Sequence, residues 1–63
     1  MGEKITQIRK LTGLTRKDFA KFYDIPLRTV EDWEWEKREP ALYLVNFLER
    51  IVTEDVAAGK FNK

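Results

Sequence analysis

The sequence predicts an all-α domain of four helices, or five if the C-terminal tail adds a short one, on two observations. Apolar residues recur at helical spacing along most of the chain, and no stretch alternates apolar and polar residues as a half-buried strand does. At 63 residues, the chain is long enough for one domain with a marginal core. We therefore expect one helical domain over residues 1–53. The tail, residues 54–63, is expected to fray or to extend the last helix.

Capping and turn residues set the expected helix boundaries. The predicted helices lie near residues 3–12, 15–23, 27–36 and 41–52. Gly13 supplies the left-handed residue that ends the first helix. Thr15 is the expected N-cap of the second helix, and Asp18 lies where a capping box needs its acidic residue. Pro26 and Pro40 disfavour helical geometry in the preceding residue and are suited to starting the next helix.

The expected core takes side chains from all four helices. Its predicted members are Ile5, Ile8, Phe19, Ala20, Ile25, Val30, Trp33, Leu44, Val45 and Leu48. Leu11 belongs to the apolar side of the first helix, and either Phe22 or Tyr23 completes the buried face of the second. We expect Trp33 to be largely buried and Trp35 largely exposed, since they lie on different faces of the third helix.

Composition argues against an enzyme or a metalloprotein. The chain has no Cys, no His and no Ser, so metal sites would have carboxylates alone, and serine or cysteine hydrolase chemistry is excluded. So small a chain cannot easily enclose a pocket of roughly 300 Å³ or more, the size that ligand sites occupy. We therefore expect no catalytic residues, no metal and no cofactor.

Apolar patterning also bears on location. No apolar run reaches the ~18 residues that a membrane span needs, and the first residues lack the apolar core of a signal peptide. The absence of Cys agrees with a reducing compartment. A cytoplasmic protein is the expectation.

Charge is unevenly distributed along the chain. Residues 1–30 carry seven Lys and Arg against three Asp and Glu, a balance of +4, whereas residues 31–63 carry five against eight, a balance of −3. A basic half on a small domain is typical of a surface that binds phosphates. Ordinary solvated helix faces explain such an imbalance about as well.

A sequence pattern around the second and third helices is more specific. It consists of Leu14-Thr15-Arg16-Lys17-Asp18-Phe19-Ala20, Ile25-Pro26-Leu27-Arg28-Thr29-Val30, Trp33-Glu34 and Lys37-Arg38-Glu39-Pro40. Over residues 8–52, the chain resembles the phage-repressor (Xre/Cro-like) family, especially its short stand-alone bacterial or phage members. This resemblance implies a compact repressor-like fold with a helix-turn-helix at about residues 15–36. It also implies a transcriptional regulator that binds specific double-stranded DNA with the third helix in the major groove.

Candidate DNA contacts follow from helical spacing and from the resemblance. Residues at i, i+3, i+4 and i+7 of the third helix form one stripe expected to face away from the core: Arg28, Glu31, Asp32 and Trp35. The candidates for contacts to base edges are Leu27, Arg28, Asp32 and Trp35. By the resemblance, Arg16 and Lys17 are candidates for phosphate contacts and are expected to be exposed; the further phosphate candidates are Thr29, Lys37 and Arg38. Arg9 and Glu34 match a family pair that forms a structural salt bridge.

Two features depart from the family pattern. Glu36 stands where the family often has Gly, so it must either adopt a left-handed conformation, at a cost of roughly 1 kcal/mol, or reshape the end of the third helix. The predicted third helix also carries four carboxylates and only one arginine, and phosphates should repel these carboxylates: Glu31, Asp32, Glu34 and Glu36. The alternative function is therefore a protein-interaction adaptor or antitoxin-like module that keeps the repressor-like fold and binds little DNA, with Trp35 in its binding patch.

The fourth helix is apolar over too wide an arc for one core. One predicted face consists of Ala41, Leu44, Val45, Leu48 and Val52. Tyr43 and Phe47 lie well around the helix from that face, and a helix that is apolar on two sides usually has two partners. We expect a weak homodimer through Tyr43, Phe47 and Phe61. In the alternative, these aromatic residues cover the core of their own domain.

Overall fold

The computed structural model describes residues 2–61, which form four α-helices and no strand. The helices are α1 (Gly2–Thr12), α2 (Arg16–Phe22), α3 (Leu27–Glu34) and α4 (Leu42–Ala57). The predicted all-α class is confirmed. The largest boundary difference is at the end of α4, which continues to Ala57 rather than stopping near Val52.

Local capping groups account for the ends of α2 and α3. The Thr15 hydroxyl accepts a hydrogen bond from the Asp18 N–H at 3.2 Å, as expected of an N-cap. Asp24 follows the C-cap Tyr23 of α2 with a φ of 57°, and Glu36 follows the C-cap Trp35 of α3 with a φ of 60°. In each case the next N–H bonds back to a carbonyl of the last turn, as in a Schellman motif. Glu36 therefore adopts the left-handed one of its two expected conformations.

The core brings together one face of each helix. Its buried apolar side chains are Ile5, Ile8, Phe19, Ala20, Val30, Trp33, Val45, Leu48 and Val52. Trp33 is buried and Trp35 is exposed, as predicted. Tyr23, rather than Phe22, completes the inner face of α2. Ile25, predicted as a core residue, is only partly buried.

Two of the expected inner-face residues are exposed. In α1, Thr12 is buried and Leu11 points outward. In α4, the stripe Val45, Leu48 and Val52 faces the core, and Leu44 lies at its edge, where it is exposed. The prediction was wrong for Leu11 and Leu44 because an apolar arc wider than the contact leaves the rotation of a helix about its axis to its neighbours.

The start of α1 lies directly against the end of α3. A Cβ atom on Gly2 would be 2.6 Å from the Glu34 carbonyl oxygen and 3.0 Å from that of Trp33. Only glycine allows this approach, because a Cβ would clash with these two backbone oxygens as well as with Cγ of Glu36 at 2.7 Å. The contact brings the positive end of the α1 dipole to the negative end of the α3 dipole, an electrostatically favourable arrangement.

Side-chain contacts join the last part of the described chain to the residues at the end of α2. The Tyr23 hydroxyl donates a hydrogen bond to Asp55 Oδ2 at 2.8 Å, and Lys60 Nζ lies 3.0 Å from Asp55 Oδ1. After Gly59, whose φ is 78°, the Phe61 ring lies 4.8 Å from the Phe22 ring, measured between centroids. Phe61 thus packs on Phe22 of its own chain, and its part in the expected dimer stays a prediction. The remainder of the predicted tail, residues 62–63, lies outside the described residues.

Within residues 2–61, no group of three or more acidic, Cys or His side chains is arranged to hold a metal ion, and there is no pocket. None of the helices in this part of the chain combines the length and the apolar character needed to cross a bilayer.

Candidate nucleic-acid interface

Glu34, in the last turn of α3, is the centre of a network that joins three helices. Its side chain is 1% exposed. Arg9 of α1 donates from Nε to Oε2 at 2.8 Å, and Arg16 of α2 donates from Nε to Oε1 at 2.9 Å. The Thr6 hydroxyl donates to Oε1 at 3.0 Å, and Arg9 Nη1 also donates to the Leu14 carbonyl at 2.8 Å. The network therefore orients the end of α3 relative to α1 and to the start of α2.

The single negative charge of Glu34 lies between two positively charged guanidinium groups, those of Arg9 and Arg16. Burial by itself would raise the pKa of the Glu34 carboxyl, but hydrogen bonds from Arg9 and Thr6 and the charges of Arg9 and Arg16 lower it below its usual value. One carboxylate and two guanidinium groups leave a net charge of +1. The Glu34 side chain is therefore not one of the exposed carboxylates of α3.

Arg16 differs from a simple exposed phosphate candidate. Its side chain is 39% exposed, and the Glu34 ion pair holds it. Its Cζ lies 5.6 Å from the centre of the Trp35 ring, and Lys37 Nζ lies 5.8 Å from the same ring. Both distances are in the range of cation–π attraction. The structure therefore brings together two predicted phosphate candidates and one predicted base candidate.

The outward stripe of α3 is less evenly exposed than its spacing predicts. Arg28, in the first turn, has a side chain that is 81% exposed. Asp32 is only 14% exposed, and its Oδ1 lies 3.4 Å from Arg28 Nε. Glu31 is also partly buried, whereas Trp35 is exposed. The expectation that the Asp32 side chain is freely exposed is wrong. The rest of the protein covers most of it, and it pairs with Arg28.

The remaining candidates lie on either side of this stripe. Leu27 at the start of α3 is exposed, and Thr29 is partly buried. Lys17, Lys37 and Arg38 are exposed. Of the four carboxylates counted against DNA binding, Glu34 is buried between two arginines and Asp32 is paired with Arg28. Glu31 is partly buried, and Glu36 is exposed.

The outer face of α4 is a second exposed surface. It presents four apolar side chains: Leu42, Tyr43, Phe47 and Ile51. The rings of Tyr43 and Phe47 lie 6.3 Å apart between centroids, so they form one patch. The chain does not cover this face with any of its described residues.

Comparison with protein-family models, curated proteins and solved structures finds no match to this chain.

Sequence reasoning missed two residues of the site and one of its ion pairs. Thr6 and Gly2 lie on α1 and support the end of α3, and Arg16 shares Glu34 with Arg9. Arg16 and Glu34 are eighteen residues apart, a separation for which no helical spacing rule exists. A possible signal was the excess of charged residues at the ends of α2 and α3, but it does not identify the pairs.

Proposed function

We propose that α2, the turn at residues 23–26 and α3 form a helix-turn-helix that binds double-stranded DNA as a transcriptional regulator. The observation that carries the proposal is the position of Arg28. It lies in the first turn of α3, on the side away from the core, and its side chain is 81% exposed. The first turn of a recognition helix goes deepest into the major groove, where an arginine can donate to both O6 and N7 of guanine.

Electrostatics around α3 supports the same function. Arg16 and Lys37 lie beside the Trp35 ring of the stripe, and their chain neighbours Lys17 and Arg38 are exposed. The burial of Glu34 between Arg9 and Arg16 turns one of the opposing carboxylates into part of a positively charged cluster. Asp32, whose Oδ1 lies 3.4 Å from Arg28 Nε, provides a carboxylate that can accept from cytosine N4. Glu36 remains an opposing charge and limits affinity at physiological salt.

The experiment compares two arginines in matched surroundings. Arg28 and Arg50 are similarly exposed, at 81% and 79%, and each pairs with an acid one helical turn later in the chain. After a preferred site has been selected from a random duplex library, Arg28→Ala should weaken binding to it by about 1–3 kcal/mol and relax the preference at one base pair. Arg50→Ala should leave affinity and preference unchanged.

Three results would count against this function. Equal binding of the wild type and Arg28→Ala to the selected duplex would exclude the major-groove assignment. An equal loss in Arg50→Ala would show a general charge effect. A wild-type protein that binds no duplex even at low salt would favour the adaptor function instead, in which Trp35→Ala weakens binding to a protein partner.

We also propose that a second copy of this chain covers the outer face of α4. Its aromatic and aliphatic side chains form a patch too apolar to be a typical solvated surface, with Tyr43 and Phe47 exposed by 68% and 57%. A two-fold pair would present two copies of α3 to a near-palindromic site. Phe47→Asp should abolish self-association in sedimentation at high protein concentration, whereas a wild-type protein that is strictly monomeric, free and on DNA, would exclude the dimer.

A further inference from the structure

We propose that Glu34 and Trp35 hold Arg16 as a preset clamp for one DNA phosphate, an inference that rests on the proposed function. A guanidinium group has five N–H donors, and Glu34 uses the one on Nε. The Nη groups of Arg16 take no part in its contact with Glu34. The arginine thus keeps its forked pair of donors for an anion, while its Nε is bound to the protein.

The surroundings of Arg16 restrict its motion. Glu34, to which it is bound, is itself held by Arg9 and Thr6, and its carboxylate is 1% exposed. The Trp35 ring lies 5.6 Å from Arg16 Cζ and restricts the guanidinium further. An arginine held in this way loses less conformational entropy when it binds than a free one does.

Charge around the clamp favours an anion. Arg9 and Arg16 together carry one more charge than Glu34 neutralises, and Lys37 lies beside the same indole ring. Phosphate accepts hydrogen bonds from paired guanidinium donors in bidentate geometry. Lys17, the next residue in the chain, is exposed and has no ion-pair partner among the described residues. It provides the same charge without the orientation.

Lys17 therefore serves as the matched control. Arg16→Lys keeps the charge at position 16 but cannot bind Glu34 through Nε and offer forked donors at once. Lys17→Arg keeps the charge at position 17, where no ion pair orients the side chain. The probe is a labelled duplex of mixed sequence, titrated at several salt concentrations and followed by fluorescence anisotropy. Thermal unfolding checks that each variant is folded.

The expected results separate orientation from charge. Arg16→Lys should weaken binding roughly three- to tenfold, the size expected for freeing one preset side chain, with the same salt dependence because its charge is kept. Lys17→Arg should bind as the wild type does. If Arg16→Lys does not fold, a measurement on the wild-type protein provides the test.

A measurement on the wild-type protein tests the geometry directly. In nitrogen-edited NMR, the Arg16 Nε–H signal should be protected in the free protein and should stay protected when duplex is added. The Nη protons of Arg16 should shift and exchange more slowly on binding, which a purely structural arginine would not show.

The outcomes distinguish this inference from the proposed function. Wild-type affinity in Arg16→Lys, or loss of the protected Nε–H signal on DNA, would overturn the clamp and leave DNA binding intact. A wild-type protein without salt-dependent duplex binding would overturn both.

Discussion

Glu34 and Asp55 each join helices through a carboxylate, and the two junctions differ in charge and depth. Glu34 is 1% exposed, is bound by two guanidinium groups and connects α1, α2 and α3. Asp55 is 14% exposed, accepts from the Tyr23 hydroxyl, pairs with Lys60 and connects the end of α4 to α2. The first junction keeps a surplus positive charge beside α3, whereas the second is balanced. The Asp55 junction therefore joins parts of the fold only, whereas the Glu34 junction also orients Arg16 and leaves positive charge at the candidate site.

The two carboxyl groups have lowered pKa values for different reasons. For Glu34, burial opposes ionisation, and the hydrogen bonds and charges of its partners overcome it. For Asp55, hydrogen bonds from Tyr23 and Lys60 are the main causes that lower the pKa, and burial is a smaller, opposing effect. Glu34 is therefore the group whose partners matter most, because a buried charge without them is costly.

The largest expected effect follows from removing Glu34. Glu34→Ala leaves Arg9 and Arg16 facing each other without their shared carboxylate, and breaking a buried ion pair in this way costs about 3–5 kcal/mol of unfolding free energy. Urea unfolding followed by circular dichroism measures this loss. Tyr23→Phe, which removes one hydrogen bond at the other junction, should cost clearly less. The reverse order of these two losses would contradict the comparison.

A smaller effect is expected in acid. Because both carboxyl groups have folded pKa values below their ordinary ones, the unfolded state binds more protons. The stability they contribute is present above the ordinary pKa of each group and is lost as pH falls through its folded pKa. Urea unfolding at a series of acidic pH values should show this decline. Glu34→Gln and Asp55→Asn should each flatten it, and a decline unchanged in both variants would show that other groups cause it.

Near neutral pH the smallest effect comes from Tyr23, because it loses its proton only at high pH. Burial, then the hydrogen bond to Asp55 and its negative charge, raise the pKa of Tyr23 above the ordinary tyrosine value. This shift stabilises the folded protein below that value, and the stability is lost as pH rises through the folded pKa. In Tyr43→Phe, Tyr23 is the single tyrosine, so ultraviolet titration reports it alone. Adding Asp55→Asn should lower the pKa of Tyr23 but keep it above the ordinary tyrosine value, since burial is the largest cause of the rise. A Tyr23 that titrates at the ordinary value would show that the junction is open.

Short-range features were predicted well from the sequence. Thr15 caps α2, α3 begins after Pro26, and the positions of Trp33 and Trp35 relative to the core are as expected. The need for a left-handed conformation or a reshaped helix end at Glu36 was also recognised in advance. Each of these depends on neighbours within about one helical turn, whose effects on backbone geometry can be inferred from residue type.

The sequence by itself thus determined the helices and most of the side chains that fill the core, whereas the tertiary structure decided how the helices are rotated and which charges meet. Leu11 and Leu44 face outward because packing selects one part of a wide apolar arc. Arg16 binds Glu34, and Tyr23 binds Asp55, across eighteen and thirty-two residues. Periodicity relates side chains only along one helix, so contacts between helices depend on how the whole chain packs.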